Sequence, residues 1–455
     1  MPAERRSMTR VWATAFTLLA GAMLWRYSTG APAADTDGIN PHPVQLHRPV
    51  QAPLSATAAL GRQIFFDPRL SASGAMACAT CHNPDHGYGP PDGLAARFGG
   101  AKGTLQGNRA VPGLRYLYLV PNFSIGPDIN EAENVNLNKM AAQAATHARA
   151  QKTVTSTAAS AVAMVPQGGL FWDGRVNTLE EQAKGPLLNP LEMANPDVAT
   201  VAVKLRKAPY ASTFVQLFGA GILQNPGLLV DEAMFAVARF QVEDASFHPY
   251  SSKYDYWLEG KARLTPAEAR GLQLFEDKDK ANCAGCHLDK PGKDGAPPLL
   301  TDFQYEGLGA PRNGELSVNK DPHYFDLGLC GPMRHDIAAQ TQYCGMFRTP
   351  SLRNTATRKV FFHNGVYHDL EHVMAFYDFR DVQPEKIYPK GADGKPRKFD
   401  DTPEAYLANM DVVDPPFDRK LGQAPAMTEQ DMRDIIAFLG TLTDGYRPQG
   451  TLAVH

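Results

Sequence analysis

Two copies of one five-residue pattern carry the groups most able to do chemistry in this chain. They read Cys78-Ala79-Thr80-Cys81-His82 and Cys283-Ala284-Gly285-Cys286-His287. Two thiols at this spacing can each add across a haem vinyl group, and the adjacent imidazole then reaches the iron from one face. A redox pair or half of a zinc site could explain one copy, but two copies that both end in His predict two covalently bound haem c groups.

The residues before each pattern also repeat, which indicates how the patterns are positioned. Leu60-Gly61-Arg62-Gln63-Ile64-Phe65 precedes the first copy, and Arg270-Gly271-Leu272-Gln273-Leu274-Phe275 precedes the second. Each stretch is typical of the end of a short helix that leads into a haem loop. The repeat predicts a mainly α fold with two cytochrome c-like domains, an N-terminal one over residues 54–259 and a C-terminal one over residues 260–447.

Helix signals are strongest in the C-terminal half. Thr265, Pro266 and Glu268 form a capping-box start for the second pre-haem helix. Thr428 and Asp431 start a closing helix whose apolar residues recur at helical spacing. No strong strand period occurs, and residues rich in Gly, Pro, Asn and Asp predict long loop insertions at 88–165, 289–345 and 380–425.

The N-terminus has the pattern of an export signal. A basic start is followed by an apolar run from Val11 to Trp25 and by small residues at Ala31-Pro32-Ala33. We therefore expect a signal peptide at residues 1–33, a Pro-rich linker at residues 34–53, and a periplasmic location. The alternative is an uncleaved anchor, and either way the body of the protein faces an extracytoplasmic compartment.

Composition and cysteine usage agree with an exported protein. The 455 residues carry a formal net charge of −3 and 20% charged residues, which gives no sign of a nucleic-acid surface. Four of the six cysteines belong to the two patterns. The remaining Cys330 and Cys344 are predicted to form a disulfide in an oxidising compartment, and two buried free thiols are the alternative.

Further motifs lie between and after the two patterns, and they carry a family resemblance. They are Phe171-Trp172-Asp173-Gly174-Arg175, Pro190-Leu191-Glu192-Met193, Arg348-Thr349-Pro350-Ser351-Leu352-Arg353-Asn354 and Phe362-His363-Asn364-Gly365. In this order they resemble the bacterial dihaem cytochrome c peroxidase and MauG superfamily, over about residues 54–445. The insertions and the Tyr88-Gly89-Pro90-Pro91 stretch look closer to the methanobactin-associated MauG-like branch.

The resemblance assigns roles around the first haem. His82 would be the proximal ligand, Gln182 and Glu192 would lie over the open face where peroxide binds, and Pro186 would pack over that site. Trp172 matches the residue between the two haems. Peroxide cleavage needs a proton taken from one oxygen and given to the other, which a carboxylate in an apolar pocket can do. Without the resemblance, Glu192 could equally cap a helix and Trp172 could be a core residue.

The far face of the second haem separates an electron carrier from a catalyst. In the family, the residue twelve positions after this glycine (Gly365 here) is the second axial ligand, on the face of the haem opposite His287. This chain has Tyr377 there, as MauG-type members do. A phenolate favours high oxidation states of iron, whereas Met raises the potential. Met374 is the competing ligand, and His368 and His372 are expected at the surface.

Two departures from the family pattern limit what can be carried over. Family members that bind calcium have Asn in an R-N-x-P run, but this chain reads Arg109-Ala110-Val111-Pro112, with Asn108 out of register. That puts calcium in doubt. His86 and His147 could block the first haem, yet neither is at the matching position, so an open iron is expected.

These features favour a periplasmic dihaem enzyme of MauG type. Hydrogen peroxide would form a high-valent dihaem state that oxidises a Trp or Tyr residue of a partner protein, or another electron donor, at a distance. One alternative is a cytochrome c peroxidase that reduces peroxide to water with electrons from a small cytochrome c or a cupredoxin. A non-catalytic electron-transfer dihaem cytochrome is the alternative from another class.

Overall fold

The computed structural model describes residues 38–127 and 164–448, and this part of the chain is mainly helical. The helices are α1 (Ala56–Phe65), α2 (Cys78–Cys81), α3 (Leu179–Leu188), α4 (Val198–Lys207), α5 (Ala211–Phe218), α6 (Pro226–Glu243), α7 (Lys253–Leu258), α8 (Pro266–Glu276), α9 (Leu370–Phe379) and α10 (Glu429–Gly440). The strands form three antiparallel pairs, β1 (Phe98–Gly99) with β2 (Leu105–Gln106), β3 (Ser124–Pro127) with β4 (Met164–Gln167), and β5 (Tyr305–Glu306) with β6 (Phe347–Arg348).

The predicted signal peptide lies outside the described residues. In the described stretches no helix is both long and apolar enough to span a bilayer.

The first core surrounds the long helix α6. Asn225 caps this helix, and Pro226 occupies its first position, where no backbone N–H is needed. Helices α1, α3 and α4 pack against α6. Phe65 and Phe240 are fully buried where α1 meets α6, with their ring centroids 5.6 Å apart. The cluster ends with Phe247 in sequence.

The second core is built on α8 and α10, which pack against each other. The two predicted capping boxes are present, Thr265 with Glu268 and Thr428 with Asp431. Phe275 and Phe438 are fully buried at the contact, 5.1 Å apart. Tyr254 and Leu258 on α7 belong to this core, so α7 packs with it although it precedes the expected domain boundary at residue 260.

The segment predicted to be a linker packs against the second core where it is described. The Val44 N–H donates to the Leu258 carbonyl at 2.9 Å, and Leu46 is buried within the second cluster. Arg48 forms a bidentate ion pair with Glu259 at 2.8 and 2.9 Å. Residues 38–53 therefore form an extended strap that fixes the chain before α1 to the C-terminal half.

The predicted insertion at residues 289–345 has little regular structure but is tied down at several points. Cys330 and Cys344 form the predicted disulfide. Arg334 donates to the backbone carbonyl of Asp173 at 2.8 Å, and Asp326 pairs with Arg109 at 2.6 Å. The insertion thus lies against the segments of the N-terminal half that carry Arg109 and Asp173.

The repeated glycine of the two pre-haem helices has a packing role. A Cβ atom on Gly61 would lie 1.8 Å from the carbonyl oxygen of Ala236 on α6, and one on Gly271 would lie 2.0 Å from that of Asp434 on α10. Both helices therefore touch the backbone of their partner at the same position of the repeat. Gly440 at the end of α10 has no atom within 4 Å of such a Cβ.

We expect Gly61→Ala and Gly271→Ala each to destabilise the protein by about 1–3 kcal/mol, because a methyl group would push two helices apart. The measurement is the shift in the guanidinium unfolding midpoint. Gly440→Ala is the matched control and should leave the midpoint unchanged or slightly higher. Equal midpoints for Gly61→Ala and Gly440→Ala would contradict this role of the repeat.

Candidate functional site

A cavity of about 460 Å³ lies around the second Cys-x-x-Cys-His pattern, a volume typical of a cofactor site. Its lining includes Cys283, Cys286 and His287 on one side and residues of α9 on the other. The cavity extends to Trp172 in the segment between the two patterns. The apolar walls and the position of the two thiols fit a covalently bound haem.

Both pattern histidines are held in the same way. Nδ1 of His82 is 3.1 Å from the Tyr88 carbonyl oxygen, and Nδ1 of His287 is 3.1 Å from that of Leu300. Burial lowers the pKa of each imidazole to about 4, so both rings are neutral. A neutral imidazole whose Nδ1–H donates to a carbonyl presents Nε2 as a metal ligand, which is what an iron would need.

The four cysteines of the patterns are partly buried free thiols. Burial raises the pKa of Cys78 and of Cys283 to about 12, so neither is a thiolate. Addition of a thiol to a vinyl group gives an uncharged thioether. Covalent haem attachment is therefore compatible with these buried positions.

Tyr377 on α9 lines the large cavity together with His287. Its ring stacks on Phe417, with centroids 5.3 Å apart and planes 23° from parallel. Burial raises the pKa of the phenol, and its hydroxyl makes no hydrogen bond within residues 38–127 and 164–448. A phenol without a hydrogen bond at a cavity wall fits a ligand to a cation that would stabilise its ionised form.

The competing ligands have different surroundings. Met374 lies one turn before Tyr377, also lines the cavity and belongs to the second core. His368 lies near Glu315 at 3.2 Å, and His372 near Asp369 at 2.7 Å, both on exposed side chains. The two histidines are thus at the surface, as predicted, and Met374 remains the alternative to Tyr377.

Glu192 lies in a partly buried turn near the first pattern. Asn189 donates from Nδ2 to the carboxylate oxygen Oε1 at 2.6 Å, which leaves Oε2 available. Burial raises the pKa of Glu192, although Asn189 and Arg175 oppose the shift. Burial is the main cause of the raised pKa of Cys78 and of Cys81, and the nearby charge of Glu192 adds to it in both.

Gln182 and Pro186 both lie on α3, whose start is fixed by a capping box between Thr178 and Glu181. Gln182 is buried, and among the residues that the structure describes its side-chain amide has no hydrogen-bond partner. The Pro186 carbonyl accepts a hydrogen bond from Met193 N–H at 3.1 Å. This bond ties α3 to the turn that carries Glu192.

Trp172 connects segments from both halves of the chain. Its indole N–H donates to the Ala110 carbonyl at 2.9 Å, and its own carbonyl accepts from Arg348 N–H at 2.9 Å. Ala110 N–H donates to the His363 carbonyl at 2.8 Å. The position where calcium-binding relatives have Asn is thus an alanine whose two backbone groups hold Trp172 and His363.

Two arginines to which sequence reasoning gave no role line the same cavity: Arg348, which begins one of the motifs, and Arg358, which lies outside them. Nε of Arg348 is buried without a hydrogen-bond partner among the described residues, and burial lowers the pKa of this guanidinium. Arg358 donates to the carbonyls of Val111 and Val360 and to no other described residue, and burial lowers its pKa to about 10. Both fit carboxylates such as haem propionates. The signal in the sequence was weak, namely arginines within stretches of low charge.

Of the two histidines considered as blocking ligands, only one is described. His86 lines the large cavity, whose lining includes neither Gln182 nor Glu192. His147 lies outside the described residues.

Comparisons with known proteins agree with this geometry. Residues 55–263 match the family model described as di-haem cytochrome c peroxidase. The chain is 34% identical over 400 residues to the methylamine utilization protein MauG of Paracoccus denitrificans, covering 86% of this chain and 89% of the relative. The chain belongs to the dihaem cytochrome c peroxidase and MauG family. It is also 27% identical to the cytochrome c551 peroxidase of Nitrosomonas europaea over 359 residues, covering 79% of this chain and 81% of that protein.

Solved structures support the same family. The diheme peroxidase BthA of Burkholderia thailandensis is 35% identical, with a TM-score of 0.72 and 87% of each chain covered. A MauG-like protein associated with microbial copper homeostasis shares the fold, at 23% identity and a TM-score of 0.55, over 89% of this chain and 95% of that one. As a family member, the chain is a haem oxidoreductase that acts on peroxide and uses two haems.

We expect Tyr377→Met to raise the reduction potential of the second haem and to change its low-temperature EPR spectrum, because a thioether replaces an anionic ligand. Met374→Leu is the matched control, since it alters the same cavity wall one turn away. A spectrum that changes in Met374→Leu and not in Tyr377→Met would identify Met374 as the ligand.

Proposed function

We propose that this chain is a periplasmic dihaem peroxidase of MauG type, which uses hydrogen peroxide to oxidise a Trp or Tyr residue of a partner protein, or another electron donor, at a distance. The haems, attached through the two cysteine pairs, would supply the iron that accepts electrons and cleaves the peroxide. His82 and His287 would hold the irons from one side. Export is supported by the N-terminal pattern and by the disulfide between Cys330 and Cys344.

The observation that carries the MauG-type proposal is the position of Tyr377. It lies in the same cavity as His287, at a place where an electron-transfer haem would have Met. The aromatic ring of Phe417 holds the phenol in place. An anionic ligand stabilises oxidised iron, so a haem held by Tyr377 would be suited to hold oxidising equivalents rather than to donate electrons.

Glu192 is proposed to move the proton during peroxide cleavage. Asn189 holds Oε1, so Oε2 could take a proton from one oxygen of peroxide and deliver it to the other, which would leave as water. The raised pKa of Glu192 makes its protonated form a stable intermediate carrier. The buried amide of Gln182 would orient the peroxide, and Pro186 would fix the turn.

Trp172 is proposed to pass electrons between the two haem sites. Its indole N–H donates to a backbone carbonyl, which is too weak a base to take the proton. An oxidised indole at this place would therefore keep its proton, and the electron could return without proton transfer. Trp172 is thus suited to fast exchange of electrons in both directions.

A cytochrome c peroxidase with a small external electron donor is the second candidate, because the relatives include the cytochrome c551 peroxidase. The two functions separate in one experiment, addition of peroxide to the fully oxidised protein. MauG-type function predicts a change in the spectra of both haems that persists without donor. Rapid oxidation of a reduced cytochrome c or cupredoxin, with no persistent state, would favour the second candidate.

We expect Glu192→Gln to slow the reaction with peroxide by about 100-fold or more, because the amide cannot accept the proton. The measurement is the stopped-flow rate constant for the spectral change after peroxide is mixed with the protein. Glu180→Gln, on the first turn of α3, is the control and should react like the wild type. A wild-type rate in Glu192→Gln would overturn the proposed role of Glu192.

The pH dependence follows from the raised pKa of Glu192. The carboxylate form accepts the proton, so the rate should rise with pH and level off above an apparent pKa higher than the ordinary value for glutamate. The test is the rate of the peroxide reaction across a pH series. In Glu192→Gln this rise should be absent, and an identical pH profile in both proteins would assign the titration to another group.

A further inference from the structure

Three tyrosines form a continuous contact path that starts at the large cavity. Tyr116 lines the cavity, and its ring centroid lies 4.8 Å from that of Tyr250. The hydroxyl oxygens of Tyr250 and Tyr118 are 3.0 Å apart. Tyr116 and Tyr250 are buried, whereas Tyr118 is half-buried and precedes Leu119, whose side chain is 44% exposed. The path therefore leads from the cavity wall toward the surface.

The backbone at the first two tyrosines is unusual. Tyr116 has φ +67° and Tyr250 has φ +44°, a region that bulky residues rarely adopt. Such conformations persist only where the surroundings enforce them, and they are concentrated at functional sites. The backbone N–H of Tyr250 also donates to the Tyr116 hydroxyl at 3.2 Å, which ties the Tyr116 side chain to the backbone of Tyr250.

A proton acceptor stands at the cavity end of the path. The Tyr116 hydroxyl donates to Oδ2 of Asp444 at 2.7 Å. A phenol is far easier to oxidise when its proton can move to a nearby base as the electron leaves. Tyr377, the other cavity tyrosine described above, has no such acceptor among the described residues.

The charge of Arg353 is compensated beside this path. Its guanidinium lies 4.9 Å from the ring centroids of both Tyr116 and Tyr250, and an uncompensated cation there would oppose the loss of an electron. Asp255 accepts two hydrogen bonds from this guanidinium, at 2.7 and 2.9 Å. The buried pair is neutral overall, so it positions the rings without a net positive charge.

We propose that Tyr116, Tyr250 and Tyr118 carry electrons from a tyrosine or tryptophan side chain of a partner, docked near Tyr118, into the haem cavity. This inference rests on the proposed function, which supplies the oxidant through peroxide. Each peroxide accepts two electrons, so the path operates twice per peroxide. It adds a surface position for the donor to the roles already proposed around Glu192, Trp172 and Tyr377.

The steps balance in electrons and protons. Tyr116 gives one electron to the oxidised haem site and its proton to Asp444. An electron from Tyr250 and the proton on Asp444 then restore Tyr116, while the proton of Tyr250 leaves through the Tyr118 hydroxyl to water. Tyr118 next gives a hydrogen atom to Tyr250, and the external phenol or indole gives a hydrogen atom to Tyr118. The donor loses one electron and one proton, and water gains the proton.

The test uses the full-length haem-loaded protein, peroxide and a nitroso spin trap, with adducts located by mass spectrometry of peptides. N-acetyltyrosinamide serves as the donor probe in a parallel assay. The wild type should form an adduct on Tyr118. Tyr250→Phe should reduce that adduct and the rate of probe oxidation by about tenfold or more, while the first reaction with peroxide keeps its rate.

Two further variants make the outcome decisive. Tyr118→Phe, at a half-buried position that tolerates the change, should slow probe oxidation as strongly as Tyr250→Phe. Tyr388→Phe removes the hydroxyl of a buried tyrosine that donates to the Gly309 carbonyl at 2.6 Å, and it should have no effect. Probe oxidation at the wild-type rate in Tyr118→Phe would overturn the path. An unchanged peroxide reaction in Glu192→Gln would instead overturn the proposed function and leave the path to be judged by the adducts alone.

Discussion

The buried guanidinium of Arg109 is the interaction on which the arrangement of the functional residues depends. It donates to Asp326 at 2.6 and 2.7 Å and to Asp173 at 2.7 Å, and all three side chains are almost fully buried. Removing one partner of such a group typically costs about 3–5 kcal/mol, because a charge is left buried and unpaired. Three segments far apart in sequence are therefore held at fixed positions relative to one another.

The position of Trp172 follows from this constraint. Trp172 precedes Asp173, and Ala110 follows Arg109, so the ion pair brings the indole N–H within 2.9 Å of the Ala110 carbonyl. Ala110 N–H in turn holds the carbonyl of His363, in the C-terminal half. The ion pair between Arg109 and Asp173 and the hydrogen bond from Trp172 to Ala110 together hold the indole in this position.

Features that depend on neighbouring residues could be predicted from the sequence, whereas contacts between distant residues could not. The caps at Thr265 and Thr428 and the pairing of Cys330 with Cys344 follow from patterns of residue type and spacing, and the structure has them at the expected places. The packing of residues 38–53 on the second core could not be predicted, because it rests on contacts with residues about 200 positions away. Proline content indicates an extended chain, but it does not say what that chain contacts.

The site shows the same division. Glu192 could be singled out from the motif. The hydrogen bond from Asn189, which occupies Oε1 and leaves Oε2 available, depends on the geometry of the turn. Arg348 belongs to a motif and Arg358 does not, and neither position indicates that the guanidinium lines the cavity without an ion pair to a described carboxylate. The contact between Tyr116 and Tyr250 joins residues 134 positions apart. Interactions of this kind come from tertiary packing, which residue spacing does not contain.

The roles proposed for Glu192, Tyr116 and Trp172 separate proton transfer from electron transfer. Protons can move at Glu192, whose Oε2 is free, and at Tyr116, which has Asp444 as an acceptor. Between them, the indole N–H is bound to a carbonyl that cannot take its proton. Electrons can therefore cross from one site to the other while protons stay on their own side. Peroxide chemistry and donor oxidation can then occur at different places on the molecule, and a donor too large to enter a cavity can still be oxidised.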